Sequence, residues 1–178
     1  MIDGEKFSAL VGSLVEGYDS WDLMPGLGFL SETPDGGLSV DVINAIGGNL
    51  LIDTSRDDVM MILAANHLGR CQNHESLAGA FLTFEAWGVV EPGPDAPVAD
   101  RARYTRDRVE RRFSERPDRK ETAMALCVDV WGRAYGVATV RGEPGVTLVP
   151  ASGPMFGRLR RVAKLLATAR DLARASRE

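Results

Sequence analysis

Cysteine and histidine are scarce in this chain of 178 residues, which contains two of each. Two cysteines, Cys71 and Cys127, cannot build the disulfide framework of a small secreted protein, so they favour a reducing compartment. A run of about 18 apolar residues, as a membrane-spanning helix needs, is also missing. The first residues, MIDGEKFSALVGSLVEG, lack the basic start and the apolar stretch of a signal peptide. We therefore predict a cytoplasmic protein without a membrane span.

Basic residues are nearly missing from the first 100 positions. Residues 1–100 contain 16 acidic and three basic side chains, a net charge of −13, whereas residues 101–178 contain nine acidic and 18 basic ones, a net charge of +9. Such asymmetry indicates that the two halves neutralise each other, within a chain or between subunits, or that the basic half binds an anionic partner. Because the whole chain is acidic, we favour the first interpretation.

Common catalytic motifs are lacking as well. There is no Walker loop and no G-x-S-x-G elbow, and GLGFLS at 26–31 lacks the third glycine of a dinucleotide-binding loop. Sequence alone therefore names no catalytic residue and no cofactor.

Both histidines lie in one octapeptide, HLGRCQNH, as His67 and His74 around Cys71. All three residue types ligate zinc, but positions i and i+7 of a straight helix lie about 10.5 Å apart along its axis, too far for two ligands that each lie about 2 Å from one ion. Gly69 is also expected to end the helix, and the octapeptide supplies no fourth ligand. We therefore predict no metal site in this octapeptide.

Hydrophobic periodicity and turn residues predict a single α+β domain over residues 1–178, with a mostly antiparallel sheet of five or six strands and packed helices. The predicted helices are 4–17, 59–68, 98–116 and 154–175. The predicted strands are 27–31, 38–42, 78–90, 122–130, 134–141 and 146–149, with a further short strand at 50–53 and a helix cap at Thr54. Residues 93–118 read as a charged helical insertion, and the turn TPDGG requires a positive φ at Gly36 or Gly37. The helix at 59–68 is apolar nearly all round and is expected to be buried.

The strand at 122–130 has one face of small side chains, Ala123, Ala125 and Cys127. Gly136 and Ala138 of the next strand are expected to extend this face, so that another element can approach the sheet closely. We expect the alanine-rich final helix to cover it, with a flat ligand as the alternative.

Three carboxylates fall in the middle of predicted strands: Asp41, Glu85 and Asp129. Two of them brought together in a buried site could perform acid–base chemistry. Nothing in the sequence brings them together, however, so we expect all three to point to solvent.

Two arginine-rich segments are the candidate binding surfaces. The candidate residues are Arg101, Arg103, Arg108 and Arg112 in the insertion, and Arg158, Arg161 and Lys164 on the final helix. Arginines in the insertion could contact phosphates, although i,i+4 pairs such as Arg103–Asp107 satisfy part of their charge. The final helix carries seven basic residues against two acidic ones, a pattern typical of helices that contact a membrane surface, a nucleic acid or an acidic partner.

The segment 116–143 contains Pro117-Asp118-Arg119 before a strand, followed by the turn residues Asp129 and Gly132. In this arrangement it resembles a recurring element of uncharacterised proteins from high-GC actinobacteria and their phages. The resemblance implies a genomic setting and no activity.

The pattern as a whole favours a non-enzymatic interaction or assembly module that binds a protein partner or itself, as a homo-oligomer whose acidic and basic surfaces pair. One alternative is a nucleic-acid-associated protein that uses the arginine-rich insertion. The other is an enzyme with a carboxylate site near Glu85 and Asp129.

Overall fold

The computed structural model describes residues 4–16, 25–43, 59–89, 91–110 and 112–177. The described residues form four α-helices and six strands, in an order that agrees with the predicted one. The helices are α1 (Gly4–Glu16), α2 (Val59–Leu68), α3 (Val98–Val109) and α4 (Pro154–Ala175). The strands are β1 (Gly26–Glu32), β2 (Leu38–Ile43), β3 (Leu77–Gly88), β4 (Lys120–Asp129), β5 (Ala134–Val140) and β6 (Thr147–Leu148). The predicted strand at 50–53 and the cap at Thr54 lie outside the described residues.

All six strands form one antiparallel sheet in the order β2-β1-β3-β4-β5-β6, which confirms the predicted α+β fold. The β1–β2 hairpin closes through the Thr33 amide, which donates to the Gly37 carbonyl at 3.1 Å. Gly36 has a φ of 78°, as predicted, because this turn needs a residue that tolerates the left-handed region.

Each face of the sheet has its own hydrophobic core, because successive side chains of a strand point to opposite faces. On one face, Phe7, Val11 and Val15 of α1 pack over Ala125 and Cys127. On the other face, α2 and α4 pack over the larger side chains of β1, β3 and β4. Their core side chains are Met60, Ala64, Leu68, Phe156, Leu159, Val162 and Leu166. Each fully buried Leu or Phe contributes roughly 1.5–3 kcal/mol to folding.

The small-residue face of β4 corrects two predictions. It is covered by α1, not by the final helix α4. The expected neighbours on β5 were also wrong, because Gly136 pairs with Leu126 and Ala138 pairs with Met124. Paired residues of adjacent strands share a face, so both belong to the α4 side. A Cβ at position 136 would lie 2.9 Å from Cζ of Phe156, so glycine there lets the helix approach.

Two predicted helices differ in detail. Helix α2 is buried along one stripe only, while Ile62 is 58% exposed, so the expected burial all round was wrong. Helix α3 ends at Val109, not at 116. Beyond it the Arg112 amide donates to the Asp107 carbonyl at 2.8 Å, and a 3₁₀ turn follows at Phe113–Glu115.

Within the described ranges, no helix combines the length and the apolarity needed to cross a membrane.

Candidate functional site

Helix α3, inserted between β3 and β4, has an exposed apolar stripe. Its only buried residue is Asp107, and it makes no extensive contact with another described helix or strand. The stripe consists of Val98, Ala102, Thr105 and Val109, which follow one another at spacings of four, three and four and therefore share one face of the helix. Val98 is 73% exposed and Val109 is 76% exposed. This face of the helix is a shallow surface that is open to solvent.

Arginines border the stripe on both sides. At 100° per residue, Arg101 and Arg108 fall on one border and Arg106 falls on the other. All three are exposed, and Arg101 and Arg106 lie directly beside the stripe. The surface of α3 thus combines apolar side chains in its centre with positive charge at its borders.

The opposite side of α3 is fixed by Asp107, which is only 5% exposed. Four arginines lie around its carboxylate, and their nearest nitrogen–oxygen distances are 3.7 Å for Arg103, 3.8 Å for Arg106, 3.5 Å for Arg112 and 3.3 Å for Arg116. Two of them, Arg112 and Arg116, lie beyond the helix, so this cluster ties α3 to the segment before β4. We call these five residues the Asp107 cluster.

Further contacts complete the attachment of α3. The Tyr104 and Phe113 rings lie 5.2 Å apart. Arg116 also binds Asp118 at 2.7 Å. This hydrogen bond raises the pKa of the Arg116 guanidinium and lowers the pKa of the Asp118 carboxyl. Arg112 also contacts Glu110 at 2.9 Å. The four arginines of the Asp107 cluster thus share three carboxylates, which compensate most but not all of their charge.

The structure thus separates the candidate residues predicted in the insertion. Arg101 and Arg108 are exposed at the borders of the stripe, while Arg103 and Arg112 belong to the Asp107 cluster. The predicted pair Arg103–Asp107 is present, at 3.7 Å. Sequence reasoning missed that Asp107 is buried, since the i,i+4 rule treats it as one of several exposed carboxylates.

The candidates on α4 do not form one exposed basic surface. Arg161 and Lys164 are exposed, but Arg158 is only 4% exposed, so it does not present its charge to solvent as predicted. Helix periodicity explains this, because Arg158 lies one turn before Val162 on the face that packs against the sheet.

The last turns of α4 and the residues that follow it contact acidic residues of the N-terminal half. Arg170 is buried, donates to the Leu77 carbonyl at 2.9 Å and contacts Glu32 at 3.1 Å. Arg177 contacts Glu75 at 2.5 Å. Part of the charge asymmetry is therefore neutralised within one chain.

The three mid-strand carboxylates do not form a common site. Glu85 pairs with Ala123 and Asp129 pairs with Gly79, which puts Glu85 and Asp129 six positions apart along the sheet, or about 20 Å. Asp41 lies on the edge strand β2.

The prediction that Asp129 points to solvent was wrong, since this residue is fully buried. Its carboxylate accepts hydrogen bonds from the Trp131 amide at 3.0 Å and from the Arg133 amide at 2.9 Å. It also accepts one from Nε of Arg133 at 2.5 Å. Asp129 therefore organises the β4–β5 turn, in which Gly132 has a φ of 87°.

The octapeptide 67–74 splits into two parts. Nε2 of His74 donates to the Leu68 carbonyl at 2.9 Å, so this ring caps the end of α2. His67 instead lies beside Asp41, with Nε2 2.7 Å from Oδ2, and Cys71 lies next to both. The sequence did not indicate the contribution of Asp41, because it comes from β2, 26 residues before His67.

Comparison of the chain with family models, with curated proteins and with solved structures found no match.

Proposed function

We propose that this protein is a non-catalytic interaction module and that α3 binds an acidic amphipathic helix of a partner protein. The observation that carries the proposal is the exposed stripe of Val98, Ala102, Thr105 and Val109, bordered by arginines. An apolar stripe with this spacing is the pattern by which one helix packs along another.

The chemistry of the stripe specifies the partner. Ala102 and Thr105 are small, so a second helix can approach α3 closely at its centre, while Val98 and Val109 supply apolar contacts at both ends. Arg101, Arg106 and Arg108 occupy the positions that flank a helix–helix seam, where opposite charges on the partner favour pairing. The complementary surface is therefore a helix with an apolar stripe and glutamate or aspartate beside it.

The same charges disfavour pairing of α3 with a second copy of itself. In an antiparallel pair of α3 helices, Arg101 of one copy would face Arg108 of the other. In a parallel pair it would face Arg106. Like charges across a seam destabilise it, so the occupant is a different chain. The homo-oligomer predicted from the charge asymmetry stays a prediction that α3 does not support.

The alternative functions explain fewer of these features. Phosphate binding would use Arg101, Arg106 and Arg108 but leaves the two exposed valines without a role. An acid–base site near Glu85 and Asp129 would need two carboxylates that the sheet register keeps apart.

The test is site-specific photo-crosslinking from α3. A photoreactive phenylalanine analogue at position 105 would point into the stripe, and the matched control carries it at Asp100, on the opposite side of the helix. In extracts of the source cells, we expect the variant at 105 to crosslink an acidic amphipathic peptide, identified by mass spectrometry, and the control to give none.

The peptide identified in this way is then synthesised and titrated against purified variants. Val98→Asp combined with Val109→Asp should weaken binding about tenfold or more, since each buried valine contributes roughly 1.5 kcal/mol or more. Arg101→Glu with Arg108→Glu, which leaves the Asp107 cluster intact, should weaken binding most at low salt. Three results would refute the proposal. They are crosslinking of the variant at 105 to nucleic acid or lipid, equal crosslinking from both positions, and peptide binding that the valine substitutions leave unchanged.

A further inference from the structure

We propose that Asp41, His67 and Cys71 form a binding site for a divalent transition-metal ion, with zinc as the best fit. One ligand atom from each residue can be chosen so that all three lie within 4.8 Å of one another. They come from β2, from the last turn of α2 and from the loop that follows it. The proposal replaces the expectation of no metal, which rested on His67, Cys71 and His74 alone.

The fold brings these three side chains to one place for local reasons. Asp41 points to the same side of the sheet as Ile43, whose side chain is buried in the core beneath α2 and α4. After α2 ends, the Cys71 amide donates to the Leu68 carbonyl at 3.1 Å. The chain therefore makes one more turn and keeps Cys71 near His67. The His67 ring packs edge-on against Phe29, with centroids 5.1 Å apart, which restricts its orientation.

The donor set suits zinc. Carboxylate oxygen, imidazole nitrogen and thiolate sulfur are its usual protein ligands, at about 2.0–2.3 Å. Tetrahedral coordination then puts ligand atoms roughly 3.3–3.8 Å apart. Nε2 of His67 and Oδ2 of Asp41 lie 2.7 Å apart. Their distance would increase by about 0.6 Å when the metal ion replaces the proton between them. Side-chain rotation at this partly exposed site can supply such changes.

Charge and exposure complete the fit. An ionised Asp41 and an ionised Cys71 together carry two negative charges, which balance a divalent ion beside a neutral His67. The Asp41 side chain is 60% exposed, so water can occupy the fourth coordination position. Binding requires that the thiol release its proton to solvent as the metal–sulfur bond forms.

A metal site explains this cluster better than a cysteine nucleophile does. An activated cysteine needs neighbouring positive charge, whereas the Asp41 carboxylate lies within 4.8 Å of the Cys71 sulfur. A bound divalent cation would balance both negative groups.

The test is titration of chelator-treated protein with Zn²⁺ in competition with a chromophoric chelator, and with Co²⁺ followed by absorption. We expect one equivalent of zinc to bind, and the Co²⁺ form to show a thiolate-to-metal charge-transfer band. Cys71→Ser and His67→Ala should each lower zinc affinity on the order of 100-fold or more, because loss of a direct ligand exceeds the 10–100-fold effect of an outer-shell partner. Asp41→Asn should lower it as well.

His74→Gln is the matched control, since it removes the other histidine of the octapeptide and should leave zinc affinity unchanged. Zinc should also raise the melting temperature of the wild type but not that of Cys71→Ser, which separates lost binding from lost folding. Absence of stoichiometric zinc, full affinity in Cys71→Ser or His67→Ala, or an equal loss in His74→Gln would overturn the proposal.

Discussion

Removal of the Asp107 carboxylate should loosen α3 without unfolding the sheet. In an Asp107→Ala variant, the four arginines of the Asp107 cluster lose their common anion. Three of these, Arg103, Arg106 and Arg112, have side chains that are 42–58% exposed, so water can solvate them. Only Arg116, at 13%, is poorly solvated.

The magnitude follows from that exposure. Exposed ion pairs contribute about 0.2–1 kcal/mol each, well below the 3–5 kcal/mol of a fully buried pair. We therefore expect the variant to destabilise the insertion by about 1–2 kcal/mol, which corresponds to a 5- to 30-fold change in the local opening equilibrium. Because α3 makes no extensive contact with the other described elements, this loss should stay local.

Hydrogen exchange measured by mass spectrometry tests the expectation. Amides of residues 98–116 should exchange about 5- to 30-fold faster in Asp107→Ala, while amides of the central strands β3 and β4 and the global melting temperature stay as in the wild type. Asp95→Ala, which removes an exposed carboxylate before α3, is the control and should change neither. Unchanged exchange in α3, or equal acceleration throughout the sheet, would show that Asp107 does not hold the helix in this way.

Two further predictions concern the face of the sheet that α1 covers. A Cβ at Gly28 would lie 2.3 Å from the Phe81 ring and 2.6 Å from the Asp41 carbonyl, so Gly28→Ala should lower the free energy of unfolding by about 1–3 kcal/mol in urea titrations. Gly12→Ala, where the added Cβ meets nothing within 4 Å, should not lower it, and equal stability of both variants would contradict the packing of β1 on β2 and β3. Burial raises the pKa of the Cys127 thiol above its unfolded value of about 8.5. Above that pH the thiol ionises only in the unfolded chain, so the free energy of unfolding should fall by up to about 1.4 kcal/mol per pH unit. The Cys127→Ala variant should not show this decrease in the free energy of unfolding at alkaline pH. If the stabilities of the two proteins change in parallel from about pH 7 to about pH 10, the prediction is contradicted.

The elements of the fold were predictable because their signals are local. Alternating side chains around the TPDGG turn indicate a hairpin whichever residues later pack on it. The apolar stripe of residues 154–175 likewise indicates a helix without reference to its neighbours.

What sequence reasoning missed depends on contacts between distant segments. Whether Gly136 shares a face with Ala125 or with Leu126 depends on the register of β4 and β5, and a shift of one residue reverses the answer. Whether Asp107 is buried depends on Arg112 and Arg116, which lie beyond the end of the helix. In the same way, His67 meets Asp41 only because the sheet edge passes beneath α2.

The position of α1 has a consequence for the order in which the chain folds. This helix packs against β4 and β5, over 100 residues further along the sequence, so its contacts close long loops of the chain. Contacts of such separation carry a large entropic cost and form late. Until they form, Phe7, Val11 and Val15 and the small-residue face of β4 stay in water. Substitutions that weaken this interface should therefore accelerate unfolding more than they slow refolding.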